Sequence, residues 1–432
     1  MSWILILLLA STSGRESSET SDPLLELLRK NGTISSAEYD QILAERVTSG
    51  HETSAHLQMS LDSGGLRAAT GDGRFEFRIR GRLHWQFAHY EEDESELGDG
   101  TTLRRARVEL WTTFEEHWRS VFQIGLDEGR SSLKTAMVLY DGLSTRDLPI
   151  EVLVGQYKEP FSISWQSSSN RLPALERSYV ATLSPSRALG LGLQSHGDHW
   201  LAAAGLFGES VPDDADDEHD EGYAVTARAA LVPICDEQNV VHFGLSGSLR
   251  SIQNDRTVRI AAAPETGVAD LEFLDTGSLD GTRSVGRVGG EVAIRRGSVL
   301  LVAEWIGLQA TRPRRGADPF FQAHDVTVAW IVTGEVREYR ASRGLFLDFV
   351  PRSRFGAFEI VARYSHLDLN DHGVRGGSAT DWMIGVNWYA NENVRARLST
   401  TFVDLDQRAD AAGTVPGRQT PQIFEVQVQL SF

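Results

Sequence analysis

The sequence predicts an all-β protein, and within that class a single transmembrane antiparallel barrel ahead of a soluble sandwich. Three observations carry this reading. Beyond about residue 73, apolar and polar residues alternate with a period of two in one segment after another. Those segments run to about ten residues and are divided by short turns and longer polar loops, as in outer-membrane barrels. Tryptophan and tyrosine stand near predicted strand ends, at Tyr90, Trp330, Trp382, Trp388 and Tyr389, where an aromatic girdle belongs. A half-buried soluble sheet alternates in the same way, so the pattern by itself leaves that class open.

Residues 1–20 read as a signal-like segment. Trp3 to Ala10 form the longest apolar run, Ser11 to Gly14 follow as small residues, and a basic n-region is missing. Residues 21–48 read as a helical hairpin. Asp22 and Pro23 suit a helix start, Leu24, Leu25, Leu27 and Leu28 form a stripe, and Asn31-Gly32 ends it. Ser35 with Glu38 then makes a capping box for a second helix. Residues 49–72 are polar and rich in Gly and Ser and read as a linker, leaving 73–432 for the barrel.

Within that barrel, RFEFRIRGRLHWQFAHY (Arg74 to Tyr90) puts Arg78, Arg80, Arg82, His84 and Gln86 on one face. Phe75, Phe77, Ile79, Leu83, Trp85 and Phe87 take the other. Leu103 to Phe114 repeats this with Arg105, Arg107 and Glu109 opposite Ala106, Val108 and Leu110. Predicted strands follow at WRSVFQIGLD, TAMVLYDGL, IEVLVGQYK, WLAAAGLFG, YAVTARAALV, VVHFGLSGSL and GGEVAIRR. The series continues through VLLVAEWIGLQ, DVTVAWIVTGEV, AFEIVARYSHL, DWMIGVNWYA, VRARLSTTFV and IFEVQVQLSF. The last alternates cleanly from Phe424 to Phe432, whereas WLAAAGLFG does not.

Charge and cysteine usage narrow the function. The net charge is −18, but Glu91–Gly100 holds six acids and Asp213–Glu221 seven, so the acidity sits in two expected loops. Asp213 to Glu221 lacks the spacing and glycine of a calcium loop, and no metal site is expected. Mean hydropathy is −0.25, and no stretch of about 18 apolar residues offers a spanning helix. Cys235 is the only cysteine, which rules out an intramolecular disulfide. Of 42 basic residues only Lys30, Lys134 and Lys158 are lysine. Arginine keeps its charge when partly desolvated and grips oxyanions with a planar fork. No hydrolase, phosphate-loop or dinucleotide motif stands in a suitable context, and no cofactor or nucleic-acid partner is expected. Ser195, His196 and His199 in SHGDHW read as turn residues, because strand neighbours point to opposite faces.

Several long, ordered motifs resemble the phosphate-selective porin O/P family. They are GRLHWQFAHYEED, LGDGTTLRRARVEL, VGQYKEPFS (Val154 to Ser162) and LERSYV (Leu175 to Val180). VTGEVREYR, FGAFEIVARYSHLDLND and DWMIGVNWYANENVRARL resemble the same family's later blocks, and LLELLRKNGTISSAEYDQIL its helical preface. The resemblance implies a barrel of about 16 strands in a Gram-negative outer membrane, among lipid and lipopolysaccharide, commonly as a homotrimer. The terminal phenylalanine fits the assembly signal of such barrels. It further implies a pore narrowed by a loop after the fifth strand, between Lys158 and Leu191, carrying Arg171, Glu176 and Arg177, with Lys158 at its base.

In such a barrel the last strand pairs with the first. Arg395 and Arg397, then the last strand, then Arg78, Arg80 and Arg82, then Arg105 and Arg107 would occupy four consecutive staves. All lie on the polar parity of their strands, tempered by Glu76, Glu109 and Glu425. A row of such cations suits passive diffusion of small anions, phosphate or polyphosphate among them. A general non-selective porin and a non-conducting anchor or assembly protein are the competing readings. Replacing Arg80 and Arg82 by Gln should lower anion conductance in planar bilayers; unchanged conductance would mean that they face elsewhere or are neutralised by Glu76.

Overall fold

The computed structural model describes residues 29–42, 57–91, 97–127, 130–211, 221–253, 257–269, 271–313, 317–406 and 417–432. The chain divides into two compact units, Met1–His56 and Leu57–Phe432. In the first, Gly32 takes a φ of 70° where the chain turns, and helix resumes at 36–42. The capping box forms: the Ser35 amide donates to the Glu38 carboxylate at 2.8 Å, and the Glu38 amide to Ser35 Oγ at 3.2 Å. Arg29 lies over the Tyr39 ring at 4.5 Å. The signal-like segment, the Asp22-Pro23 helix start and most of both acidic runs lie outside the described residues.

The second unit is a closed antiparallel barrel of 16 strands. The first eight are Phe75–Glu91, Gly100–Phe114, Trp118–Gly125, Ser132–Tyr140, Ile150–Lys158, Arg187–His196, Trp200–Phe207 and Ala224–Cys235. The remaining eight are Asn239–Ser251, Ser284–Arg296, Val299–Thr311, Phe320–Ile331, Ala357–Asp371, Val374–Tyr389, Val394–Leu405 and Gln422–Ser431. Each pairs with the next, and the last closes on the first from Gln422↔Glu91 to Ser431↔Arg82. Closure leaves the wall without a free edge, which hydrocarbon requires. Phe432 then pairs its backbone with Gly81 at 2.7 and 3.0 Å, and its ring fills the space over that glycine, where a Cβ would stand 2.3 Å away.

Two segments differ from the sequence reading. The expected linker 49–72 contains a β-hairpin, Leu57–Asp62 with Gly65–Thr70. It joins the first strand at Leu66↔Ile79 to Ala69↔Glu76, beyond the point where the last strand ends. The sixth strand begins at Arg187, inside the span expected for the loop. Its outward Leu189, Leu191 and Leu193 alternate with Gly190 and Gly192, so no polar face advertises it. Those glycines make room for inward aromatics: a Cβ on Gly190 would meet Phe207 at 2.4 Å, and one on Gly192 the Tyr157 hydroxyl at 2.3 Å.

The outer face is apolar along the strands. On the fourteenth strand Trp382 is 59% exposed and Ile384 53%, followed by Val386 and Trp388, an arrangement suited to lipid. Trp330, Trp382 and Trp388 face outward as a girdle requires. Tyr90 and Tyr389 do not: they are 4% and 6% exposed and face the lumen. Tyr389 follows the outward Trp388 and must point the other way.

Three connecting segments fold into the lumen. Residues 159–186, with one-turn helices Ile163–Gln166 and Val180–Leu183, bind strands far apart on the wall. Ser162 Oγ donates to Glu304 of the eleventh strand at 2.6 Å, Tyr179 Oη to Asp381 of the fourteenth at 3.2 Å, and Arg105 of the second to Glu176 at 2.6 Å. Residues 252–283 enter from the same end, with Glu265 paired to Arg363 and Thr266 Oγ1 donating to Glu425 at 2.8 Å. From the opposite end comes 332–356, where Arg337 pairs with Glu359 at 2.7 Å. Phe161, Val180, Leu183, Phe273 and Leu274 pack on inward Ile306, Leu308, Phe321 and Leu367, filling the side of the lumen along the tenth to fifteenth strands. Replacing Ile384 by Arg, which sets a charge on the lipid face, should destabilise the barrel by about 2–4 kcal/mol if that position lies near the midplane. Guanidine titration of the vesicle-folded protein checks this; an unchanged midpoint would mean this face does not meet lipid.

Candidate functional site

Along the opposite side of the barrel the lumen stays open as a cavity of about 910 Å³. It is bordered by Arg80, Arg82, Arg104, Arg105, Arg107, Lys158, Arg171, Arg177, Arg187, Arg228 and Arg343, against Glu109, Glu176, Glu265, Glu338, Asp348 and Glu392. The first, second, fifth, sixth and eighth strands supply eight of the cations, and inward parity brings Arg80, Arg82, Arg105 and Arg107 to the lumen. Lys158 closes the fifth strand opposite Arg187, which opens the sixth.

The expected row of arginines is only partly gathered here. Its four staves are adjacent, and Arg80, Arg82, Arg105 and Arg107 border the cavity, as do Lys158, Arg171 and Arg177. Arg395 and Arg397 do not. Arg395 donates to the carbonyls of Asn170 and Leu172 at 3.1 Å and Pro173 at 3.2 Å, and Arg397 to that of Ala174 at 3.1 Å. Both face inward, but the inserted loop covers them. Arg78 also stands outside the cavity, on the part of the first strand paired with the hairpin, 3.8 Å from Glu76.

Most bordering cations are neutralised in pairs. Arg82 pairs with Glu109, Arg107 with Asp127 at 2.8 Å, Arg171 with Asp348 at 3.3 Å and Arg228 with Glu291 at 2.6 Å. Arg104 and Arg105 share Glu176 at 3.1 and 2.6 Å, and Arg343 meets Glu151 at 3.0 Å. Burial works against the Glu176 charge, but Arg105 and Arg104 overcome it and hold this loop carboxyl well below its ordinary range. Four cations have no carboxylate partner among the described residues: Arg80, Lys158, Arg177 and Arg187. Arg80 Nε donates to the Gly64 carbonyl at 3.0 Å, and Arg177 to those of Ser164 and Ser167 at 3.3 and 2.7 Å. Lys158 Nζ donates to the carbonyls of Trp165, Gln166 and Ser167. Lys158 and Arg177 each stand 5.3 Å from the Trp165 ring centre.

Sequence reasoning missed Arg104, Arg187, Arg228 and Arg343. Arg104 has the wrong parity, but a bulge between His84↔Arg105 and Trp85↔Leu103 makes it the extra residue, so neighbouring arginines both reach Glu176. Arg187 belongs to the unrecognised strand, and Arg343 to a turn that pattern could not fold inward. Arg228 had a readable signal, its inward parity in YAVTARAALV. In SHGDHW, Ser195 and His196 end the sixth strand rather than standing in a turn, and only His199 lies in the turn that follows. Ser195 Oγ donates to the Pro149 carbonyl at 2.6 Å and His199 Nδ1 lies 2.9 Å from that of Val232. The described residues contain no group of three or more metal-ligating side chains.

A family model described as phosphate-selective porin O and P matches residues 77–432. The chain is 24% identical over 379 residues to Porin O of Pseudomonas aeruginosa, covering 79% of this chain and 85% of that protein. In fold it resembles an anion-selective porin from Comamonas acidovorans, with a TM-score of 0.50 at 11% identity over 83% of this chain and 100% of that one. It also resembles OmpT of Vibrio cholerae in its trimer form, with a TM-score of 0.51 at 10% identity over 83% and 99% of the two chains.

Replacing Glu176 by Gln should cost about 3–5 kcal/mol, since it leaves the buried Arg105 guanidinium without its carboxylate. The same change should increase open-channel noise in single-channel records. Because this carboxyl titrates below its unfolded value, its stabilisation should persist through about pH 4 and fade only at lower pH. Loss of the difference between wild type and variant already at pH 5 would refute the assignment.

Proposed function

From its membership in the phosphate-selective porin O and P family, which makes this chain a Gram-negative outer-membrane β-barrel porin, we propose that it conducts small anions, phosphate or polyphosphate among them, by passive diffusion. The observation that carries this reading is the group of cations without carboxylate partners among the described residues, Arg80, Lys158, Arg177 and Arg187, on one open cavity. An oxyanion that sheds water there meets fixed positive charge, and guanidinium forks suit its oxygens. Arg82, Arg105, Arg107 and Arg171 border the same cavity and raise the local potential, though each already faces a carboxylate.

That pairing is also the observation favouring the second reading, a general porin. Seven of the eleven bordering cations are neutralised, which weakens any single anion site. The open cavity argues against a non-conducting anchor. The trimer form of the OmpT neighbour supports a homotrimer embedded among outer-membrane lipid and lipopolysaccharide.

Planar-bilayer recording in a potassium chloride gradient tests the proposal. The expected reversal potential is anion-preferring, and millimolar phosphate should reduce the chloride current. A cation-preferring potential would overturn the anion pore; anion preference without phosphate block would leave a general anion channel.

A further inference from the structure

Resting on that anion-pore reading, we propose that the cavity is shaped for an organic oxyanion: a carboxylate, phosphate ester or sulfonate head carried on an apolar or aromatic body. The cavity has two unlike ends. Its unpaired cations Lys158 and Arg187 face each other where the fifth and sixth strands meet the long loops. Leu153 lies five residues down the fifth strand from Lys158, roughly 16 Å away at about 3.3 Å per residue.

Around and below Leu153 the bordering residues change character. Val121, Met137, Leu153 and Leu201 come from the third, fourth, fifth and seventh strands, while Leu345, Leu347, Phe349 and Val350 come from the inward segment 332–356. The two sides approach closely, since a Cβ on Gly344 would stand 3.0 Å from Leu201. Charges near this end are paired: Arg119 and Arg343 with Glu151 at 2.7 and 3.0 Å, and Arg228 with Glu291. Gln123, Thr135, Gln194 and the exposed Glu338 also border the cavity, interspersed with these apolar side chains.

An apolar inner wall is unusual in a water-filled barrel, whose inward residues are normally polar. Elsewhere in this lumen, inward apolar residues are covered by the inserted loops, as along the tenth to fifteenth strands. On the third to seventh strands, Val121, Leu139, Leu153, Tyr157 and Phe207 form a continuous inward cluster with Met137 against it. Val121, Met137, Leu153 and Tyr157 nevertheless border open space. Val121 is 5% and Leu153 8% exposed, so the space beside them is a narrow slot rather than a broad vestibule. Inorganic phosphate has nothing to offer such a slot. An anion with a flat apolar body places its head among the cations and removes apolar surface from water in the slot.

The test uses the full-length protein in planar bilayers, with inorganic phosphate and phenylphosphate titrated separately as blockers of chloride current. Phenylphosphate is expected to block at about tenfold lower concentration, as burial of one ring face would give. In Met137→Gln and, separately, Leu347→Gln, the ratio should fall towards one. Equal block by the two anions in the wild type, or an unchanged ratio in both variants, overturns the inference and leaves the anion pore standing. Should either variant fail to insert, the wild-type ratio alone decides. Absence of block by both anions together with a cation-preferring reversal potential would instead remove the underlying anion-pore reading.

Discussion

The fold depends on guanidinium groups donating to backbone carbonyls of a loop that crosses a barrel. Residues 159–186 contain only two single helical turns, so most of their carbonyls have no partner within the segment. Arg395, Arg397, Arg363 and Arg287 reach in from the wall and bind the carbonyls of Asn170, Leu172, Ala174, Glu176 and Leu183. Lys158 and Arg177 bind those of Ser164 to Ser167 from nearer the loop. A guanidinium offers five donors in a fixed plane and tolerates partial desolvation, which suits this task better than an ammonium. Much of the arginine bias thus serves the placement of the loop, and the loop's placement shapes the cavity.

This explains what the sequence could and could not reveal. Period-two alternation carried the barrel, the lipid-facing side of RFEFRIRGRLHWQFAHY and the adjacency of four arginine-bearing staves, because parity and closure are local or topological rules. The division of those arginines into cavity-facing and loop-binding groups is neither. Arg80 and Arg397 have equivalent parity, and only the path of residues 170–176 separates their roles. Arg104 depends on a bulge, and the sixth strand on glycines whose purpose lies in Phe207 and Tyr157 of its neighbours. The imperfect alternation of VLLVAEWIGLQ did carry information. Leu300, Ile306 and Leu308 are apolar on the inward side because inserted segments bury them there.

The overall acidity does not conflict with a basic cavity. Two acidic runs hold much of the excess. Another group stands on the far wall, where Glu291, Glu304 and Asp325 are cross-strand neighbours in register and Asp381 follows beyond Ser365. Ser162 and Ser164 donate to Glu304, Tyr179 to Asp381, and Arg228 with His242 to Glu291. The inserted loop is therefore held by carboxylates of the eleventh and fourteenth strands and by arginines of the second, tenth, thirteenth and fifteenth. Glu304 and Asp381 spend hydrogen bonds on the loop, whereas Glu291 is held by Arg228 and His242 of the wall itself, and the cavity opens on the basic side.

The same hydrogen bonds bear on how tightly an anion can be held. An ammonium has three donors, and Lys158 directs its own to three carbonyls, so it acts on a passing anion through charge rather than contact. Arg177 and Arg80 are likewise partly engaged by backbone oxygens. Arg187 differs, having neither a carboxylate nor a hydrogen-bonding partner among the described residues, and its Nε is buried. The cavity therefore presents strong potential with few donors in any one place. Conduction needs that balance, since an ion must be drawn in yet never meet a complete set of ligands that would stop it. Freeing Lys158 from its carbonyls would make a tighter anion site and, by the same argument, a slower pore.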